Sequence, residues 1–171
     1  MAELEQVGLK ADAKLENLEF LRAFMVGHGL SIEEVAGQVG VTRQALYSWF
    51  RCDDAKISAI ENLFDVLGFR VSFGIKTSAR HGKALVIEDP KGYVPTSAAE
   101  DNSVQSRCKR LAFMNKAMKA RSLSQGRVAE AVGRTNVAVF SWFKQDDCLV
   151  SYAYKVAELC EAELVVGIER K

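Results

Sequence analysis

Residues 30–50, LSIEEVAGQVGVTRQALYSWF, and residues 123–143, LSQGRVAEAVGRTNVAVFSWF, are two versions of one segment at an offset of 93 positions. In this register Leu30-Ser31 meets Leu123-Ser124, Val35-Ala36 meets Val128-Ala129, Val39-Gly40 meets Val132-Gly133, Thr42 meets Thr135 and Ala45 meets Ala138. Ser48-Trp49-Phe50 falls on Ser141-Trp142-Phe143, and the two tryptophans of the chain therefore pair with each other. The match continues without a gap through Asp53-Asp54 on Asp146-Asp147, Ser58 on Ser151 and Gly74-Ile75 on Gly167-Ile168. Self-similarity of this length marks a duplicated structural unit. It predicts two modules, about Leu15 to Lys76 and about Arg107 to Lys171. The chain is thus divided into an N-terminal domain 1–76, a linker 77–106 and a C-terminal domain 107–171.

Within each module the apolar residues recur at helical spacing. Leu18, Leu21 and Met25 give one face of a first helix that Gly27-His28-Gly29 stops. Ser31 with Glu34 has the Ser-x-x-Glu pattern of a capping box and opens a second helix, which ends before Gly40. Glycine there allows a positive backbone torsion, and Thr42 is suited to cap a third helix running to about Arg51. Ser58 with Glu61 repeats the capping-box pattern for a fourth helix ending at Leu67-Gly68. Phe69 to Lys76 alternates and is rich in Val and Phe, as a strand does, and Leu164 to Arg170 takes that place in the second module. By helical spacing Trp49, Trp142, Phe20, Phe24, Phe64 and Phe113 read as core. Asp53-Asp54 and Asp146-Asp147 read as caps for the turn before the fourth helix.

At these residues the sequence resembles the helix-turn-helix of the lambda-repressor-like, or Xre-type, DNA-binding family. Its pattern wants a small residue early, glycine in the turn and large apolar residues later. Val35, Ala36, Val39, Gly40, Val41, Leu46 and Trp49 fill it in the first copy; Val128, Ala129, Val132, Gly133, Val139 and Trp142 fill it in the second. Arg134 departs from it, standing where an apolar residue is preferred: either it bends outward toward a phosphate or the turn is packed differently. The capped last helix and its strand look like the ending of Xre-type antitoxin regulators. The resemblance implies a mainly α fold of two tandem lambda-repressor-like helix-turn-helix domains, each ending in a short β-strand, with a small β element in the linker.

In that family the helix after the turn enters the major groove and reads base edges with its N-terminal residues. Carried over by position, the DNA-binding set of the first copy is Thr42, Arg43, Gln44, Tyr47, Ser48 and Arg51. In the second copy it is Gln125, Arg127, Arg134, Thr135, Asn136, Val137, Phe140, Ser141 and Lys144. Arg suits guanine, Gln and Asn suit adenine, and Val137 suits a thymine methyl, so the two copies are expected to prefer different bases.

Charge is shared unequally. Residues 18–76 carry six basic and seven acidic side chains, and residues 107–171 carry twelve and seven, although the whole chain is nearly neutral at +1. Because neutralising phosphates supplies the salt-sensitive part of the affinity, the second copy is expected to be the anchor. In the linker, residues 83–88 read as a strand, 89–92 as a turn, 93–95 as the start of a return, and 96–103 as a flexible polar stretch.

Other chemistries find little support. The sequence has no glycine-rich phosphate loop, no nucleophile beside an evident base, and no cysteine and histidine spacing suited to zinc, so neither an enzyme nor a cofactor is expected. His28 reads as a capping or surface residue and His81 as solvated. Cys52, Cys108, Cys148 and Cys160 read as free thiols in a reducing compartment. With no apolar run of membrane-span length, the expected place is cytoplasmic and nucleoid-associated. The expected partner is double-stranded DNA, bound by a repressor-type transcriptional regulator that is a monomer with an internal pseudo-two-fold through paired terminal strands, or a homodimer. The alternative is a protein-interaction adaptor, antirepressor or antitoxin on the same scaffold.

Overall fold

The computed structural model describes residues 15–76, 86–87 and 109–171. The readings made above for the rest of residues 77–106, for His81 and for Cys108 lie outside them. The described residues form a mainly helical protein with a small sheet. Its elements are α1 (Glu19–Gly27), α2 (Ile32–Val39), α3 (Arg43–Cys52), α4 (Ile57–Val66), β1 (Phe69–Lys76), β2 (Val86–Ile87), α5 (Ala112–Ala120), α6 (Gln125–Ala131), α7 (Asn136–Gln145), α8 (Val150–Leu159) and β3 (Glu163–Arg170). The sheet order is β2-β1-β3, with β1 and β2 antiparallel in the register Ile75 to Ile87 and Lys76 to Val86.

Two compact units divide the chain. Of the described residues the first holds 15–71 with 169–171 and the second holds 72–76, 86–87 and 109–168, so β1 and β3 each contribute residues to both.

In the first unit Leu18, Leu21 and Met25 are fully buried on one face of α1. They are joined by Ile32 and Val35 of α2, Leu46 of α3, and Ile57, Ile60, Leu63 and Phe64 of α4. Burying each such side chain is worth roughly 1.5–3 kcal/mol against leaving it in water, which outweighs the weak helix preference of Ile and Val. The expected stop of α1 is present. His28 stands at its C-cap, its Nδ1 is 2.9 Å from the Phe24 carbonyl, and its ring lies against Phe24 and Phe69. At the end of β3 the Lys171 amide donates to the Gly68 carbonyl (3.0 Å) and its ammonium pairs with Asp65.

The capping box opens α2 as the sequence predicts. The Glu34 amide donates to Ser31 Oγ (3.2 Å), and Glu34 Oε2 accepts from the Ser31 amide and hydroxyl (2.8 Å each). These bonds to the charged carboxylate hold the Glu34 pKa below its ordinary value. A depressed carboxylate stabilises the fold above its unfolded pKa and ceases to do so as pH falls through its folded pKa. Ser31→Ala, which removes the hydroxyl but not the amide that bonds this carboxylate, is expected to lower stability at neutral pH. The loss should shrink as pH is lowered past the ordinary Glu range, as thermal melts at a series of pH values will record. In the second unit Ser124 caps α6 through the Arg127 amide (3.3 Å), but the third position holds Arg127 and no carboxylate closes the box. Ser124→Ala should lack that acid dependence.

Three expectations are corrected. First, the Ser58–Glu61 box does not form. Lys56 is the N-cap of α4, without a side-chain cap bond, and Ser58 lies inside the helix. Burial of Ala55 and Ile57 sets where α4 begins and carries Ser58 past the cap position. Second, of the acidic pairs Asp54 is seen in the expected role, its Oδ1 accepting from the Ala55 amide (3.0 Å) in the turn before α4, whereas the first aspartate of each pair serves the first helix of its unit. Asp53 Oδ2 accepts from the Glu16 and Asn17 amides (2.8 and 2.9 Å) and Oδ1 from the Leu18 amide (2.9 Å). Asp146 accepts likewise from the Lys109, Arg110 and Leu111 amides (3.0, 2.9 and 2.9 Å). Both aspartates have left-handed backbones, φ 50° and 52°. Third, Trp49 and Trp142 are only half-buried; Leu46 with Phe50 and Val139 with Phe143 fill the core positions of α3 and α7. Phe20 is also half-buried, stacked toward Phe64 at 6.5 Å, whereas Phe24, Phe64 and Phe113 are core.

The second unit repeats the helical packing. Leu111, Phe113, Met114, Val128, Val139, Phe143, Val150 and Val156 are buried, and Phe73 of β1 lies 6.3 Å from Phe113, ring centre to ring centre. Ser72 Oγ donates to the Gly167 carbonyl of β3 at 3.5 Å.

Candidate nucleic-acid interface

Two helix pairs, α2 with α3 and α6 with α7, carry the residues singled out by the repeat. Each pair is joined by a short turn whose glycine takes a left-handed backbone, φ 74° at Gly40 and 64° at Gly133, where a side chain would be strained. The next residue but one is a threonine in extended conformation. Thr42 Oγ1 accepts from the Ala45 amide (3.1 Å) and Thr135 Oγ1 from the Ala138 amide (3.2 Å). These hydroxyls thus fix the start of α3 and α7. The first residues after the caps, Arg43 and Gln44 in one copy, Asn136 and Val137 in the other, are exposed.

On α3 the side chains of Gln44, Tyr47, Ser48 and Arg51 follow one another at i, i+3, i+4 and i+7, a single helix face. Gln44, Tyr47 and Arg51 are exposed, while Ser48 is half-buried with its Oγ 4.0 Å from Cys52 Sγ. Arg43 is 66% exposed, yet it does not stand alone. Its guanidinium lies 3.5 Å from Glu33 Oε1, which also accepts from the Tyr47 hydroxyl at 3.5 Å. Sequence reading counts Glu33 among the acidic residues that offset basic charge in the first copy, but does not place it beside Arg43. The signal was present, because at the repeat offset Glu33 falls on Gly126.

On α7 the corresponding face carries Val137, Phe140, Ser141 and Lys144. Val137 is 76% and Phe140 42% exposed, which is unusual for apolar side chains this large on a helix end. Ser141 accepts from Gln145 Nε2 (3.1 Å), and Lys144 is exposed in the last turn. Asn136 lies across from Gly126, where an added Cβ would meet its amide at 3.6 Å, an ordinary contact. The second copy thus has glycine, and no side chain, at the position where the first has Glu33.

The cations flanking α7 differ in how they are held. Arg127, on α6, pairs with Glu130 at 3.4 Å. Gln125 is the half-buried first residue of that helix. Arg134 neither extends unsupported nor packs as an apolar residue would: its Nε donates to the Tyr152 hydroxyl at 2.9 Å. The Tyr152 ring in turn stacks on Trp142, centroids 4.3 Å apart and planes 16° from parallel. Tyr152 was missed, although it falls on Ala59 at the repeat offset.

The electrostatic asymmetry survives the regrouping of strand ends. Described residues of the first unit (15–71 and 169–171) carry seven basic and nine acidic side chains; those of the second (72–76, 86–87 and 109–168) carry ten and six. Among the described residues no group of three His, Cys, Asp or Glu side chains could hold a metal ion, and no helix is long and apolar enough to cross a membrane. Burial raises the Cys160 thiol pKa, and Cys148 Sγ sits 3.8 Å from Met114 Sδ in the same core, whereas Cys52 is exposed. No protein-family model, no curated protein and no solved structure matches this chain.

Proposed function

We propose that the protein binds double-stranded DNA sequence-specifically, as a repressor-type transcriptional regulator, with α3 and α7 as the unlike reading helices of two helix-turn-helix modules. The observation that carries the reading is shared by both copies. The helix after a left-handed glycine turn is fixed by a threonine cap, buries one face, and turns the polar residues of its N-terminal end outward. A helix N-terminus with exposed donors suits phosphate approach, and Arg, Gln and Asn at its first positions suit paired hydrogen bonds to base edges.

The two copies divide the work unequally. Glu33 offsets Arg43 and repels phosphate near α3, while the second unit has excess positive charge and glycine where the first has Glu33. Arg43→Ala, Gln44→Ala and Asn136→Ala are each expected to relax base preference at one or two positions, at roughly 1–3 kcal/mol per lost bidentate contact. Glu33→Gln should strengthen binding to duplexes of any sequence. Competition titrations against duplexes with single base changes test both; wild-type affinity and selectivity in all three alanine variants would show the reading surface to lie elsewhere.

One observation favours a second reading. Val137 and Phe140 form an apolar pair on the outward face of α7, which suits docking of a protein partner as well as contact with thymine methyls. A protein adaptor should bind duplex DNA weakly and without a steep salt dependence.

A further inference from the structure

We infer that Arg134, Tyr152 and Trp142 form a preset phosphodiester clamp that belongs to the second copy alone; this rests on the DNA-binding reading above. Arg134 lies two residues ahead of α7, beside the helix end that approaches the backbone. Its Nε is bound to Tyr152 Oη at 2.9 Å, which leaves both terminal amino groups of the guanidinium fork for an anion. Among the described residues no carboxylate pairs with it, unlike Arg43 with Glu33 and Arg127 with Glu130. The phenol is itself held: its ring lies 4.3 Å from Trp142, a residue of the reading helix, and nearly parallel to it. The chain of contacts therefore ties the position of the guanidinium to α7.

A long side chain ordered on folding loses less freedom on binding, and a planar fork matches two oxygens of a phosphate where an ammonium offers only a point charge. In the first copy the three positions hold Val41, Ala59 and Trp49, so neither the guanidinium nor the hydroxyl exists there. Tyr152 is a positioning residue in this arrangement: it touches Arg134 and not the ligand.

The experiment is a double-mutant cycle on the full chain, read by titration of a mixed-sequence DNA duplex at several salt concentrations, with thermal melts alongside. Tyr152→Phe keeps the ring and its stacking and removes only the hydroxyl. It is expected to weaken binding roughly three- to tenfold on every duplex, without changing base preference. Arg134→Ala should weaken binding at least as much and lower the salt slope by about 0.9. The double variant should bind no more weakly than Arg134→Ala alone, because the hydroxyl acts only through the guanidinium. Arg134→Lys, which leaves Tyr152 and the core untouched, should not restore the loss. Multiplying losses in the double variant, or wild-type binding by Tyr152→Phe, would overturn the clamp while leaving the DNA-binding reading intact. Failure of the wild type to retain DNA at low salt would overturn both.

Discussion

Asp146→Ala is expected to destabilise the second unit by about 3–4 kcal/mol, and Asp53→Ala the first by a similar amount, from the loss of charge-assisted hydrogen bonds together with left-handed backbone strain. Each carboxylate accepts three backbone N–H groups at the start of the unit's first helix, at 2.8–3.0 Å. Those donors precede or open a helix and have no intrahelical partner. Alanine also leaves a residue with a Cβ at φ near 50° without the local bonding that lets aspartate occupy it. Glycine should relieve the strain but not replace the acceptors, so Asp→Gly is expected to be less damaging than Asp→Ala by about 1 kcal/mol. Asparagine keeps the backbone preference and one acceptor oxygen, and should fall between glycine and wild type. Chemical denaturation of the three substitutions at each site gives the order directly; an alanine variant as stable as wild type would show that these bonds do not hold the first helix.

The second large effect concerns DNA. Neutralising Arg127, Arg134 and Lys144 together is expected to weaken binding to every duplex by about two to three orders of magnitude at physiological salt. The salt slope should fall by up to about 2.7, at about 0.9 per phosphate contact. Arg127 is expected to contribute least directly because Glu130 already pairs with it, though its removal also takes the paired cation from that carboxylate. Neutralising Arg22, Lys56 and Arg70 should do much less. Arg22 is paired with Glu19 at 2.6 Å, and the first unit has an acidic excess. If the first-unit set proves the more damaging in titrations across salt, the basic excess of the second unit serves another surface, one suited to an acidic protein partner.

Much of this architecture was legible in the sequence because local chemistry dictated it. Gly40 and Gly133 take the left-handed conformation that glycine tolerates, Thr42 and Thr135 cap the following helices, and β1 begins and ends where the alternation of Phe69 to Lys76 does. Ser31 found its reciprocal Glu34. The same pattern at Ser58 failed because burial of Ile57 outweighs a cap bond, a tertiary effect that a four-residue motif does not contain. Asp53 and Asp146 were visible as repeated acids, but their partners lie 35–37 residues earlier in the chain, and sequence spacing alone does not reveal so distant a contact. The tryptophans were drawn into the core by their periodicity, whereas Phe50 and Phe143, one position later, turn further inward. At the candidate interface the exposed residues of α3 and α7 followed from the repeat. Their contacts with Glu33 and Tyr152 did not, since both partners come from a different helix and only packing brings them to Arg43 and Arg134.

Selection of bound duplexes from a random pool by the full-length wild-type protein tests the central claim most directly. The expected result is enrichment of a site with two unlike elements, one weakened by Arg43→Ala and the other by Asn136→Ala, held at nanomolar strength and lost steeply as salt rises. A pool that remains unenriched after repeated rounds, with binding that is weak and indifferent to salt, would contradict the account and leave the exposed face of α7 to a protein partner.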